Sequence, residues 1–377
     1  MRIGFDVDSL TLRSGGIGRY AVNLINHIAK LHSYSGNEFF IFFHNSFDRD
    51  LLNEYSYIKY IKKYTHIKSN VLRKGIFLPF SIRSLKLNLF HGLDHVGIPF
   101  LYKNKRCKYV VTIHDLITKL YPEKFTVKHR FIQNTLLPYI LKKADRIIAV
   151  SQCTKNEMIG FYPDSEEKVR VIYEGVESKF SPKSKQEANE TLKKYHIDFP
   201  YFLFLGTLEP RKNIIRVLDA FIRLKKERDI DEKLVITGRK GWLYGETLKK
   251  IEYSSLSDNI VLSGFVDDDD LPSLYSGAKI FLYPSLFEGF GLPVLEAMAC
   301  GVPVITSNCS SLPEIAGNAA MFVNPKNVVE IVNAMEILIS NNNLREELSA
   351  KGLERAKIFS WDKTAKETIK LYEEIIE

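Results

Sequence analysis

No feature constrains this chain more than the regular alternation of short, apolar, β-rich runs with longer stretches of helical periodicity. Strand-like runs fall at 2–7, 38–43, 88–91, 109–113, 146–150 and 169–172, and again at 201–205, 233–237, 260–263, 279–283 and 302–306. Helical patterns lie between them, as at 17–31 and 213–228. A chain that returns to a strand only after a helix builds parallel sheets with helices on both faces. At 377 residues, and with roughly 100–200 residues per domain, the two series imply two domains. The expected class is α/β, with two Rossmann-like, doubly wound domains facing an interdomain cleft. The join falls within 174–199, where Gly175, Ser178, Ser181, Pro182 and Ser184 precede a polar helix and Pro200 opens a fresh strand. The expected domains are 1–180 and 181–360. A last helix, 361–377, has Trp361, Ala365, Ile369, Leu371, Tyr372, Ile375 and Ile376 at its apolar positions; it is expected to pack back on the first domain.

Composition narrows the classes. Hydrophobic residues at 45% and charged residues at 26% are the balance of a globular protein with a sizeable core, which excludes disorder and collagen-like repeats. The four cysteines, Cys107, Cys153, Cys300 and Cys309, form no C-x-x-C pair and no zinc spacing; they read as free thiols in a reducing compartment. No apolar run reaches the ~18 residues of a membrane-spanning helix, and the N-terminus MRIGFDVDSL opens as a strand rather than a signal peptide. A cytoplasmic protein is expected. The formal net charge is +8, unevenly spread: residues 51–150 hold 19 lysines and arginines against 5 acidic residues, residues 251–350 only 3 against 13. Basic residues alternate with aromatics along Tyr57-Ile58-Lys59-Tyr60-Ile61-Lys62-Lys63-Tyr64. Such a face suits anionic lipid head groups or a phosphorylated acceptor; an ordinary solvated face fits the same residues. No nucleic-acid motif accompanies the charge, so no nucleic-acid partner is expected.

In open parallel sheets, ligands bind beyond the carboxyl ends of the strands, where loops lead into helix N-termini. Three loops there carry chemistry. After the first strand, Ser14-Gly15-Gly16-Ile17-Gly18-Arg19-Tyr20 brings glycines and a helix start together, a place where backbone amides approach an anion; a plain tight turn reads the same way. In the second half, Pro210-Arg211-Lys212-Asn213 sets two cations at a helix start, which the helix dipole disfavours unless an anion neutralises them. A diphosphate suits that pair, with a fork from arginine and a point charge from lysine; a solvated surface pair is the alternative. The third loop, Pro284-Ser285-Leu286-Phe287-Glu288-Gly289-Phe290-Gly291-Leu292, leads into a helix opened by Pro293 and stopped by Gly301-Val302-Pro303. Glu288 and Glu296 stand eight residues apart and are expected to point into the cleft, each able to accept from a vicinal diol.

The string FEGFGLPVLEAMACGVPVI at 287–305 resembles the E-x7-E region of retaining glycosyltransferases of family 4, which have the GT-B fold. GGIGRY at 15–20, TIHDL at 112–116, ADRIIAVS at 144–151, EPRKN at 209–213 and LSGFVDDDDL at 262–271 fall in that family's order and span nearly the whole chain. TLEPRKN at 207–213 is similar to a bacterial subgroup rich in mannosyltransferases of surface-polysaccharide assembly.

The resemblance implies that Arg211 and Lys212 neutralise the donor diphosphate, helped by amides near Gly15 and Gly16. It gives the donor ribose to Glu296 and the donor sugar hydroxyls to Glu288, with backbone amides from Phe290, Gly291 and Leu292. Val266 would meet the base through its main chain. His114 would lie beside the transferred sugar, through its ring or its backbone carbonyl. Many members carry arginine directly after the glycine equivalent to Gly206, and here it is Thr207, so Arg211 would take over that contact. Asp267–Asp270 imitate an acidic metal site, but acidic residues opening a helix fit its dipole without one; no metal and no further cofactor are expected. His91-Gly92-Leu93-Asp94-His95 reads as acceptor lining or as satisfied structural histidines. The expected activity is metal-independent, retaining transfer of a hexose, with mannose from GDP-mannose as the specific reading, to a glycan or lipid-linked acceptor at the inner membrane face. A sugar-nucleotide epimerase or phosphorylase of the same fold, and a silent nucleotide-sugar binding protein, are the alternatives.

Overall fold

The computed structural model describes residues 1–7, 15–31, 36–43, 52, 55–62, 69, 72–122, 127–241, 244–254 and 256–377. The chain divides into two compact units, Met1–Gly175 together with Trp361–Glu377, and Val176–Ser360.

In the first unit, β1 (Arg2–Asp6), β2 (Glu38–Phe43), β3 (Ile58–Lys62), β4 (Leu89–Gly92), β5 (Lys108–Ile113), β6 (Arg146–Ala149) and β7 (Val169–Val171) form one sheet in the order β3-β2-β1-β4-β5-β6-β7. Every pairing in it is parallel. Beyond Arg2 and Lys108 at their starts, its central strands are buried, which explains their mainly apolar character: helices cover both faces. The helix Trp361–Ile376 packs against the helix Gly15–Leu31. It buries Trp361, Thr364, Ala365, Thr368, Leu371, Tyr372 and Ile375, a stripe at three- and four-residue spacing, and the rings of Tyr20 and Trp361 meet edge to face at 5.9 Å. Thr364 Oγ1 also donates to the Tyr173 carbonyl at 2.7 Å.

The second unit repeats the plan. Its strands are β8 (Tyr201–Leu205), β9 (Lys233–Thr237), β10 (Ile260–Gly264), β11 (Ile280–Tyr283), β12 (Val304–Ser307) and β13 (Met321–Val323), ordered β10-β9-β8-β11-β12-β13 and parallel throughout. In both sheets the strand order reverses beside the first strand, between β1 and β4 and between β8 and β11, and the carboxyl edge at such a switch point is where open α/β sheets bind ligands. The second unit begins at Val176 because that residue pairs with Ser360 and its N–H donates to the Phe359 carbonyl at 3.2 Å.

Two strands go beyond the sequence reading. β13 is three residues long at a sheet edge and has no counterpart among the strand-like runs of the sequence. β3 lies inside the basic–aromatic run 57–64, of which 63 and 64 fall outside the described residues. Ile58 is buried and Lys59 exposed, with Lys59 paired to Glu38 of β2. Described residues of this run thus serve an edge strand, where exposed lysine discourages pairing with another chain.

Candidate active site

The second unit gathers three expected residues into one cluster at the carboxyl edge of its sheet. Pro210–Lys212 form a single 3-10 turn after β8, and Asn213 takes a left-handed conformation (φ 63°) before the helix Ile214–Glu227 begins. Asn213 fixes that turn by donating from Nδ2 to the carbonyls of Pro284 (2.9 Å) and Pro325 (2.6 Å). The Leu286 N–H in turn donates to the Arg211 carbonyl at 2.9 Å. The two loops are therefore stitched together, although more than 70 residues separate them.

Across that seam Glu288 accepts from both cations, from Arg211 Nη1 at 2.6 Å and from Lys212 Nζ at 2.7 Å. Arg211 Nε and Nη2 also donate to Glu209 Oε1 at 3.0 and 2.7 Å. Lys212 Nζ further donates to the Tyr283 hydroxyl at 2.5 Å. The sequence argument demanded an anion for the two cations, and the chain itself supplies two, Glu209 and Glu288. Two cations against two carboxylates leave the cluster neutral. Glu288 is buried, which alone would raise its pKa, but the charges of Arg211 and Lys212 hold it down at about 2. Burial and the neighbouring Arg211 lower the pKa of Lys212, with Glu288 opposing. Burial and Glu288 keep the Tyr283 phenol protonated.

Glu296 meets a phenol. It stands on the helix Leu292–Ala299, is buried, and accepts from the Tyr275 hydroxyl at 3.0 Å. Gly291, just before that helix, has φ +114°, a region that side chains rarely adopt. Ser311 Oγ donates to the carbonyls of Glu288 (3.0 Å) and Phe290 (2.7 Å), so the loop's shape is set from β12's side. Phe290 is buried against Phe359, ring centroids 5.9 Å apart. Val266 is buried in the loop after β10. Beside it Phe265 is half exposed, with the Arg239 guanidinium 5.5 Å from its ring, a pair that sequence reading missed. At the same edge a Cβ on Gly238 would stand 2.0 Å from the Gly206 carbonyl oxygen, so the loops after β8 and β9 approach each other only through glycine. Among the described residues, Asp267–Asp270 join no group of three or more metal-ligating side chains; Asp270 accepts from Tyr195 (2.8 Å) and Lys194 (3.2 Å).

In the first unit His114 lies just past β5 at the carboxyl edge. Its Nε2 faces the Leu93 carbonyl at 2.9 Å and its Nδ1 faces Glu174 Oε1 at 3.3 Å. Glu174 was not foreseen. It is separated from His114 by 60 residues, and nothing local marks it. His91 is fully buried between Thr112 Oγ1 (2.8 Å) and the Tyr372 hydroxyl (2.5 Å). Burial, with His114 nearby, pushes its pKa down to about 3, so it is a neutral structural histidine. Lys74, also unforeseen, is buried against Asp6 at the end of β1. It rides on a π-helical turn, Arg73–Phe77, a deformation common at functional sites. Asp94 is held below the usual carboxylate range: its burial is outweighed by Lys74, His95, the Val96 amide and His114. Gly15 and Gly16 open the helix Gly15–Leu31 with nothing within 4 Å of where their side chains would stand; Ser14 lies outside the described residues.

Two doubly wound parallel sheets, each with charged groups gathered at its carboxyl edge, are the arrangement of the GT-B fold, and the comparisons agree. Residues 14–180 match the family described as Glycosyltransferase Family 4, and residues 187–355 the family described as Glycosyl transferases group 1. O-antigen chain mannosyltransferase B of Escherichia coli is 30% identical, covering 99% of each chain. The serotype-specific mannosyltransferase WbdA of Escherichia coli is 32% identical over 74% of this chain and 35% of its own length. Among solved structures, Anabaena HepE in complex with UDP-glucose superimposes with a TM-score of 0.78 at 17% identity, covering 99% of this chain and all of that one. WaaG, a glycosyltransferase involved in lipopolysaccharide biosynthesis, does so with 0.77 at 14%, covering 98% and 99%. This chain belongs to the family 4, group 1 glycosyltransferases, and it is an enzyme of that class.

Proposed function

We propose that the protein is a retaining mannosyltransferase that uses GDP-mannose, without a metal, to extend a glycan or lipid-linked acceptor in surface-polysaccharide synthesis. The observation that carries this reading is the cluster of half-buried Arg211 with buried Lys212 and Glu288. The full-length relationship to an enzyme named an O-antigen chain mannosyltransferase supports mannose and polysaccharide. On binding, the donor diphosphate takes the place of Glu209 and Glu288 on the two cations. Glu288 is then released toward the sugar hydroxyls, ionised and already beside the leaving group. Glu296 takes the ribose, the Val266 main chain the base, and the amides near Gly15, Gly16, Phe290, Gly291 and Leu292 the phosphate and sugar oxygens. Arg211, Lys212 and the helix N-termini stabilise charge that develops on the departing diphosphate, with orientation supplying much of the remainder. His114 faces the transferred sugar, and the acceptor hydroxyl attacks from the leaving-group side.

An anionic membrane surface is part of the same reading. Among the described residues, no helix is long and apolar enough to cross a membrane. Lys103, Lys105, Lys108 and Lys143 line one recess of about 520 Å³ in the first unit, with Asp145 the acidic residue among them and Leu101 and Tyr102 exposed at its side. Lysines beside exposed apolar and aromatic side chains suit the inner face of a bilayer.

The test is the product. An α-linked donor should give an α-linked, elongated acceptor by proton NMR of the new anomeric centre, and turnover should survive exhaustive EDTA. A β-linked product removes the retaining assignment. Abolition by EDTA with rescue by magnesium removes metal independence, and isomerised donor or phosphate-dependent cleavage in place of elongation removes the transferase assignment.

A further inference from the structure

The surroundings of His114 decide its protonation. The Leu93 carbonyl can only accept, so Nε2, 2.9 Å away, carries a proton. Nδ1 faces a second acceptor, Glu174 Oε1, at 3.3 Å. A neutral imidazole has one donor nitrogen and an imidazolium has two. His114 and Glu174 are both buried, with side-chain exposures of 8% and 4%, so solvent is not there to satisfy either nitrogen instead. The ring is boxed in further by the Tyr20 ring, edge to face at 4.7 Å, and the His114 carbonyl accepts from Thr154 Oγ1 at 3.3 Å.

We propose that Glu174 is a positioning residue that holds His114 as an imidazolium, with both ring nitrogens donating to the protein, so that this histidine meets the transferred sugar as a fixed cation and not as a proton shuttle. The proposal rests on the reading that His114 belongs to the sugar-transfer site.

The groups around the ring agree with it. Burial on its own would lower the His114 pKa, but the hydrogen bond and charge of Glu174, the Leu93 carbonyl and Asp115 turn the net direction upward. The other titratable groups facing it are Asp94, His91, itself neutral, His95, whose ring lies 6.3 Å away, and the buried Tyr20 phenol. Glu174 itself immediately precedes the last residue of the first unit's main segment, Gly175. Its neighbour Tyr173 accepts from Thr364 of the helix Trp361–Ile376, which ties the backbone beside the carboxylate to that helix.

The experiment combines nitrogen-15 NMR of histidine-labelled enzyme, with His114→Gln to assign the signals, and the pH dependence of kcat/KM. Both His114 nitrogens should be protonated at about pH 7 in the wild type, and the basic limb of the profile should lie above the ~6.5 of an ordinary histidine. In Glu174→Gln, Nδ1 should lose its proton at the same pH and the basic limb should move to lower pH. The loss, about tenfold at neutrality, should fall on kcat with the donor KM retained. Glu174→Asp should restore the doubly protonated signal. An unprotonated Nδ1 in the wild type overturns the proposal, as does an unchanged pH profile in Glu174→Gln. Full turnover in His114→Ala instead overturns the transfer-site reading on which it rests, whatever the ring signals show.

Discussion

Glu288→Gln tests the charge cluster most directly, because it removes one negative charge while keeping shape and one acceptor oxygen. The Glu288 pKa falls from an ordinary 4.5 to about 2 despite burial. At 1.36 kcal/mol per pH unit, that displacement is worth about 3 kcal/mol. Removing one partner of a buried ion pair costs on the order of 3–5 kcal/mol by general experience, so two routes converge. Little discount for solvent applies, since the Glu288 and Lys212 side chains are 8% and 10% exposed. Arg211 keeps its direct pair with Glu209 in the variant, whereas Lys212 keeps a hydrogen bond only to the uncharged Tyr283 and feels Glu209 only through its charge, so the loss should fall mainly on the lysine. A carboxylate whose folded pKa lies below its unfolded one stabilises the fold above the unfolded value, and that stability goes as pH falls through the folded value. The wild type should therefore lose its advantage between about pH 4.5 and about pH 2, while Glu288→Gln has none to lose there. Urea midpoints by far-UV circular dichroism would give the gap, with hydrogen exchange assigning it to the second unit. A gap under about 1 kcal/mol at neutrality, or one that does not close on acidification, would refute the reasoning.

Lys212→Ala should lower turnover at limiting donor about 10²–10³-fold, the scale of one lost electrostatic donor in a transition state, since Glu288 keeps Arg211 and the fold survives; near-normal turnover with intact circular dichroism counts against the clamp. Gly238→Ala should destabilise the second unit by several degrees of melting temperature or prevent its folding, because its Cβ would meet the Gly206 carbonyl oxygen at 2.0 Å. Gly245→Ala, in the helix Tyr244–Glu252 with nothing within 4 Å, should be neutral or stabilising by up to about 1 kcal/mol; equal melting curves for the two variants would show the steric argument to be wrong. Co-sedimentation with phosphatidylglycerol vesicles should weaken as the Debye length falls from ~10 Å at 0.1 M salt to ~3 Å at 1 M. It should weaken too in Lys105→Glu/Lys143→Glu; binding indifferent to both removes the membrane surface from the proposed function.

What the sequence determined is what local pattern can carry. Runs such as Tyr201–Phe204, buried on both sides, spell out parallel strands because helices must cover each face, and the two series of them specify two doubly wound sheets. The loops were legible for the same reason: glycine and proline punctuate them, and a carboxyl-edge loop is where such a sheet binds ligands. Edge strands were legible only in part: β7 and β10 stand at edges and coincide with the runs 169–172 and 260–263, whereas β3, which mixes lysine with aromatics, and β13 were missed, since an edge is exempt from the burial that makes a central strand apolar. Pairing across the chain was also beyond reach. Arg211 announced two cations in need of an anion, but only folding brings Glu288 from 77 residues away to within 2.6 Å, where it and Glu209 leave the pair neutral. His114 was visible in its motif, whereas Glu174 has no motif and comes to the ring only when β5 and the end of the first unit's main segment are packed together. Periodicity and turn chemistry act between near neighbours and are written locally. A buried charge is satisfied by whichever partner the tertiary fold delivers, and that choice is made by three-dimensional closure alone.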